Sequence, residues 1–259
     1  MYEPVKSLGQ NFLMDKSISR DMVNALDIKD GDEIIEIGPG HGALTDLLGE
    51  KIRGTSSTLY PVEIDARFYE KLLGMYVSDQ NIKVVNEDIL DYLPSFNPSK
   101  EFKIIGSLPY YITSPIIHRV IYMKTRPTIC VFLIQKEVAE KIKSKAPDSS
   151  YMSCFVQTFF DVSYVGRVPK NRFKPEPKVD GGIIKLTRRE GNFNHLFITK
   201  YEGFLHRAFS NPRKMLNKMF TKEELAKGNI DYTLRAQNLS ADEWLSFYKI
   251  LNEDNLGNN

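Results

Sequence analysis

The chain is poor in the residues that build staples and metal centres: its 259 residues include 2 cysteines, 4 histidines and 1 tryptophan. Cys130 and Cys154 stand in apolar surroundings at a spacing unlike any ligand pair, so they read as small buried hydrophobes rather than a disulfide or a zinc site. The histidines are scattered, and no metal is expected. No stretch approaches the roughly 20 apolar residues needed to span a bilayer. The N-terminus MYEPVKSLGQNF has neither an apolar signal core nor an Arg-rich amphipathic stretch, so the expectation is a cytoplasmic protein with no membrane partner. With 42% apolar and 26% charged residues, the composition is that of a globular chain with room for one large domain and a smaller one.

Net charge is only +2, but it is unevenly spread. Residues 30–110 carry 7 Lys/Arg against 14 Asp/Glu, whereas residues 164–222 carry 14 against 4. The basic stretch interleaves Phe173, Phe193, Phe197, Phe204 and Phe209, which suggests phosphate contacts beside a hydrophobic core and hence a nucleic-acid partner. A solvated face balancing the acidic half is the plainer alternative.

Up to about residue 188, short β-rich runs alternate with helical patterns, the signature of an α/β sheet with helices on its faces. Strands are predicted at Glu33–Ile37, Thr58–Ile64, Ile82–Val85, Phe102–Ile105 and Thr128–Ile134, with a later pair at Val162–Val165 and Gly182–Leu186. Helices are predicted at Ser17–Leu26, Ala43–Glu50, Ala66–Tyr76, Pro115–Met123 and Lys136–Lys143. Beyond that the strand signal stops. Helices at His195–Phe209, Arg213–Phe220 and Ala241–Leu251, the first two separated by Pro212, predict a small all-helical domain over 189–259 after a sheet domain over 1–188. The tail EDNLGNN is expected to fray.

In an open α/β sheet, ligands bind beyond the carboxyl ends of the strands. The first predicted strand ends in Gly38-Pro39-Gly40-His41-Gly42, a turn that admits a ligand close to backbone and presents amides at a helix start. The second ends at Glu63, whose carboxylate suits the two hydroxyls of a ribose. The third leads to Asp88, placed to accept from an adenine amino group. Gly38, Gly40 and Ala43 also satisfy the dinucleotide pattern GxGxxG/A, so the glycines alone do not separate a dinucleotide from S-adenosylmethionine.

The fourth strand runs into Ser107-Leu108-Pro109-Tyr110-Tyr111-Ile112. An exocyclic amine on adenine is a poor nucleophile because its lone pair is delocalised into the ring, so a methylating site must accept hydrogen bonds from it. Ser107 Oγ and the Leu108 carbonyl would be those acceptors, Pro109 would fix the backbone, and Tyr110 would stack on the base. An ordinary strand-to-helix turn would use the same residue types.

Taken together, the segments SLGQNFLMD (Ser7–Asp15), EIGPGHGALT (Glu36–Thr45), VEID (Val62–Asp65), EDIL (Glu87–Leu90), GSLPYYITSPII (Gly106–Ile117), VPKNRFKPEPKVD (Val168–Asp180), FSNPRK (Phe209–Lys214) and RAQNLS (Arg235–Ser240) resemble the small-subunit ribosomal RNA adenine N6-dimethyltransferases nearly end to end. The resemblance implies a Rossmann-like class I methyltransferase sheet and a helical RNA-binding C-terminal domain. It also implies S-adenosyl-L-methionine as cofactor, contacted by Gln10, Asn11, Leu13, Gly38, Gly40, Glu63, Ile64, Asp88, Ile89 and Ser107. The implied substrate is two adjacent adenosines in a hairpin near the 3′ end of small-subunit ribosomal RNA, each methylated twice, in an immature small-subunit particle. Ser107, Leu108, Pro109, Tyr110 and Phe173 would act at the target base, with Tyr110 and Phe173 on its two faces, in a monomer.

The chain departs from the family pattern at Ser107, where the family usually has Asn. A hydroxyl is shorter than a carboxamide, so Ser107 needs a shifted loop or a water to reach N6; with the Leu108 carbonyl, Pro109 and Tyr110 retained, the expectation is an active but slower enzyme. Gly181 and Gly182 also depart and are read as local strand variation. Two other functions share these features: a large-subunit RNA methyltransferase of the macrolide-resistance type, and a non-catalytic RNA-binding assembly factor.

Overall fold

The structure, a computed structural model, describes residues 10–252. The elements are, in order, β1 (Phe12–Leu13), α1 (Lys16–Ala25), β2 (Glu33–Ile37), α2 (Ala43–Ile52), β3 (Thr58–Val62), α3 (Ala66–Tyr76), α4 (Ile89–Ser95), β4 (Phe102–Ser107), α5 (Thr113–Tyr122), β5 (Ile129–Gln135), α6 (Lys136–Lys143), α7 (Tyr151–Phe159), β6 (Phe160–Val168), β7 (Phe173–Lys174), β8 (Gly181–Arg188), α8 (His195–Phe209), α9 (Lys222–Lys227) and α10 (Ala241–Leu251). Ser7 to Gly9 of the segment SLGQNFLMD and the tail predicted to fray lie outside the described residues.

Six strands form one sheet in the order β3-β2-β4-β5-β8-β6. β2, β3, β4 and β5 are parallel, and β8 runs antiparallel to β5. β2, β4 and β5 are almost wholly buried, which is why they read as continuous apolar runs rather than alternating ones. The chain leaves β2 towards β3 on one side and returns to β4 on the other, so the strand order reverses between β2 and β4, the place where such sheets open a crevice. Gly106 makes that junction tight: a Cβ there would lie 2.9 Å from the Ile37 carbonyl oxygen. Gly181 and Gly182 have a packing reason as well, since Cβ atoms there would meet Leu133 Cδ1 at 2.7 Å and Ala139 Cβ at 2.9 Å.

Two predicted elements differ. Ile82–Val85 forms only isolated parallel bridges, Leu59 to Ile82 and Val62 to Val85, because Pro61 in β3 has no amide to donate between the bonds that Leu59 makes with Asn81 and Lys83 and those that Pro61 and Glu63 make with Val85. The predicted helix Arg213–Phe220 is a short 3-10 turn at Leu216–Lys218. Met215 is extended and bridges to Arg235, which withholds the first turn of an α-helix.

The chain divides into two compact units. One comprises the residues up to Ala139 together with Ser163–Arg188; the other comprises Glu140–Val162 and the residues from Arg189 on. The second unit is therefore built from two stretches of chain, α7 with α8, α9 and α10. Its core is aromatic: Trp244, Tyr201 and Phe247 are buried, and Trp244 Nε1 donates to the Ala236 carbonyl at 3.2 Å. Phe193, Phe197, Phe204 and Phe209 belong to the same ring network, so they stabilise this unit by packing rather than alternating with cations on its surface. Asn194, Thr221 and Ser240 cap its three C-terminal helices. Cys130 and Cys154 are free and buried, as their surroundings predict.

Candidate active site

A cavity of about 1060 Å³ opens beyond the carboxyl ends of β2, β3 and β4, within the first unit. Every residue assigned to the site from sequence lines it: Gln10, Asn11, Leu13, Gly38, Gly40, Glu63, Ile64, Asp88, Ile89, Ser107, Leu108, Pro109, Tyr110 and Phe173.

The glycine turn after β2 is shaped by sterics. Gly40 has φ +53°, and a Cβ there would sit 2.8 Å from Phe12 Cε1; only glycine satisfies both conditions without strain. The Gly40 amide donates to Glu63 Oε2 at 3.0 Å, and the Asp65 amide donates to Glu63 Oε1 at 2.9 Å. The carboxylate is thus held rigidly while each oxygen keeps lone-pair capacity for a further donor. Burial raises the Glu63 pKa, against the pull of these amides.

Asp65 begins α3 and is gripped by Arg67 through Nε at 3.0 Å and Nη2 at 2.7 Å, which holds its carboxyl down at about 2. Gln10 Nε2 also donates to it at 3.0 Å, tying the N-terminal segment to the β3 end. Asp88 caps α4 by accepting from the Leu90 amide at 2.9 Å. Ile89 is buried, whereas Ile64 is half exposed.

The Ser107 loop leaves β4 under backbone control: the Leu108 amide donates to the Leu133 carbonyl at 2.9 Å, and Tyr110–Ile112 forms a single 3-10 turn before α5. Among the described residues, Ser107 Oγ has no hydrogen-bond partner. The Tyr110 hydroxyl is buried and unpartnered, and burial, with Asp180 nearby, raises its pKa. Phe173 lines the cavity but is otherwise packed in the apolar cluster with Leu133, Val168 and Ile183.

Segment 10–15 crosses this site as a strap. β1 pairs antiparallel with β7, Phe12 opposite Lys174 and Leu13 opposite Phe173. The Met14 amide donates to the Arg172 carbonyl at 2.8 Å, and Arg172 pairs with Asp15 at 3.1 Å. The Phe12 ring packs on His41 and Phe68.

One wall residue was absent from the sequence assignment. Glu36 is fully buried in β2, lines the cavity, and has no hydrogen bond to either carboxylate oxygen. Burial pushes its carboxyl up to about 8, with Thr45 pulling weakly the other way. The signal was faint: of the two acids in the run EIIEI, Glu36 is the one flanked by apolar residues, away from the solvent-facing end at Glu33. Such a site offers fixed acceptors, two orphaned buried polar groups and an aromatic wall, suited to holding a polar cationic ligand beside a flat base.

The family model for ribosomal RNA adenine dimethylase matches residues 3–253. A ribosomal RNA small subunit methyltransferase A from Sulfurihydrogenibium is 36% identical over 256 residues, covering 97% of this chain and 98% of that protein. Among solved structures, a dimethyladenosine transferase from Plasmodium falciparum superposes with a TM-score of 0.78 at 24% identity, over 93% of this chain and 98% of the other, which supports the fold. The 23S rRNA methyltransferase ErmE superposes with a TM-score of 0.73 at 26% identity, over 93% of this chain and all of that one. With a family match running almost from end to end and a relative similar over nearly its whole length, the chain belongs to the ribosomal RNA adenine dimethylase family.

Proposed function

We propose that this protein transfers methyl groups from S-adenosyl-L-methionine to N6 of two adjacent adenosines in a hairpin near the 3′ end of small-subunit ribosomal RNA. It acts on the immature small-subunit particle, as a cytoplasmic monomer that needs no metal. The observation that carries the proposal is the convergence on one cavity of Glu63 after β3, Asp88 at the start of α4 and the Ser107 loop.

The residues present fit the cofactor. Glu63 is pre-oriented by two amides to accept from ribose hydroxyls, Asp88 accepts from the adenine amino group, and the Gly38 to Gly40 turn lets a ligand approach backbone. Asn11, Leu13, Ile64 and Ile89 complete the walls, and Gln10 anchors the strap. Glu36 offers an uncompensated buried acceptor suited to the cationic amino-acid portion. When bound, S-adenosylmethionine supplies an electrophilic methyl on a sulfonium, so the protein's part is positioning rather than acid–base chemistry.

Ser107 Oγ and the Leu108 carbonyl would accept hydrogen bonds from the N6–H groups and turn the amine lone pair towards the methyl. Pro109 holds that carbonyl, and Tyr110 stacks on the extruded base. Phe173 closes the other face, and the C-terminal stretch, residues 189–259, carries RNA contacts.

The test is methyl transfer from labelled cofactor to small ribosomal subunits isolated from cells lacking the protein, with the modified nucleotides mapped. Two adjacent dimethylated adenosines in the 3′ hairpin are expected. Cofactor binding without transfer would leave only a binding protein, and label in large-subunit RNA would favour the activity named for ErmE.

A further inference from the structure

We propose that Lys174 is a positioning residue that grips a backbone phosphate at the target nucleotide, beside Phe173. The proposal rests on the adenine-methylation reading of the same cavity.

The segment from Arg167 to Lys178 carries five cations, and the structure separates them. Arg167 pairs with Asp180 at 2.5 Å, Lys170 with Glu176 at 2.9 Å, and Arg172 with Asp15 at 3.1 Å. Among the described residues, Lys174 and Lys178 have no acidic partner, and of these two only Lys174 lines the cavity. The basic character of this segment, so prominent in sequence, is thus largely spent internally, and one unspent charge remains at the mouth of the site.

Its position is also set by backbone. Lys174 lies opposite Phe12 in the β1–β7 pair, and strand alternation sends neighbouring side chains to opposite faces, which fits a buried Phe173 followed by an exposed Lys174. Of the two other lysines of the cavity wall, Lys71 donates to the His41 carbonyl at 3.2 Å, whereas Lys16, on the first turn of α1, also has no acidic partner among the described residues but does not share the β1–β7 pair with Phe173. The remaining acidic groups on the wall are Glu36, Glu63, Glu87 and Asp88, of which Glu36 keeps its proton at neutral pH. A polyanion entering such a cavity meets acids deep inside and needs a cation at the entrance, and an extruded nucleotide brings its phosphates to that entrance.

The experiment measures the affinity of the full-length protein for an unmethylated 3′ hairpin of small-subunit RNA between 50 and 200 mM salt. Loss of one phosphate contact reduces the log–log salt slope by about 0.7 for single-stranded RNA. The wild type should therefore lose about 2.6-fold more affinity over that range than Lys174→Gln does. Lys174→Arg should restore the slope. Lys170→Gln, which removes a cation already paired with Glu176 and not on the cavity wall, should leave it unchanged, and cofactor affinity should be unaltered in Lys174→Gln. Parallel slopes for wild type and Lys174→Gln, or no binding of the hairpin by the wild type, overturn the proposal. A reduced slope together with no methyl transfer by the wild type would keep the phosphate contact and remove the methylation reading.

Discussion

The ring of Phe12 fills the space that a side chain at position 40 would need, with Cε1 2.8 Å from where the Cβ of Gly40→Ala would lie. Because Gly40 is also at φ +53°, the substitution is strained even if the ring gives way. Gly40→Ala is expected to weaken cofactor binding at least tenfold, measured by calorimetry, while costing about 1 kcal/mol in stability. Gly40→Ala combined with Phe12→Leu should recover part of the affinity, since it relieves the clash but not the backbone strain. Wild-type affinity in Gly40→Ala would show that the turn tolerates the added atom.

Ser107→Ala should reduce kcat by about tenfold or more, equivalent to about 1.4 kcal/mol of transition-state stabilisation, and leave thermal stability unchanged. The contrast follows from the free Oγ of Ser107, whose loss disturbs no protein hydrogen bond. Ser107→Asn restores the longer acceptor and is expected to raise kcat. Single-turnover methyl transfer on immature subunits distinguishes the outcomes, and equal rates for all three proteins would remove Ser107 from the mechanism.

Two carboxyls give stability opposite pH dependences in separate windows. Burial raises Glu36 from 4.5 to about 8, so the folded state holds a proton that the unfolded state releases. Its contribution is fully present below pH 4.5 and is lost as pH rises through about 8. Arg67 lowers Asp65 from 3.8 to about 2, so that contribution is present above pH 3.8 and is lost as pH falls through about 2. Thermal melts should show Tm falling from pH 5 to 8.5. Glu36→Gln should flatten most of that decline, the raised Glu63 accounting for a remainder of the same sign. An equally steep decline in Glu36→Gln would contradict the assignment.

Lys103 and Asp32 form a buried ion pair at 2.7 Å, and Asp32 also accepts from the Lys29 amide at 2.7 Å. Lys103 reaches the Asp27 carbonyl as well. Lys103→Met leaves the aspartate buried without its cation and should cost about 3–5 kcal/mol in urea unfolding. Lys103→Met with Asp32→Asn should cost less, because the second change removes the uncompensated charge. The pair lies at the start of β4, away from the cavity, so the folded fraction of either variant should keep its affinity for cofactor.

The sheet was legible in sequence because its strands are buried apolar runs ending in glycine, acid or the Ser107 loop, and strand ends are where such sheets bind ligands. The same logic located the Gly38–Gly40 turn, Glu63, Asp88 and the Ser107 loop, whereas Gln10, Asn11, Leu13 and Phe173 were reached only through the family resemblance. What sequence did not reveal is short or lacks a period. α4 spans only Ile89–Ser95 and contains Pro94. α7 is apolar on nearly every face, so no periodicity marks it. β1 and β7 are two residues each and exist through their mutual pairing. Glu36 was hidden for a different reason: an acid within a strand pattern reads as a solvent-facing position until the sheet covers both sides.

The helical unit also sets a timetable. α7 is made at Tyr151–Phe159, yet the helix packed on it, α10, begins only at Ala241. At about 5–20 residues per second, that apolar helix emerges from a ribosome and waits on the order of ten seconds for its partner. Until the last turn is synthesised, α8 alone can pack on α7, and the side of α7 that α10 covers stays open to solvent.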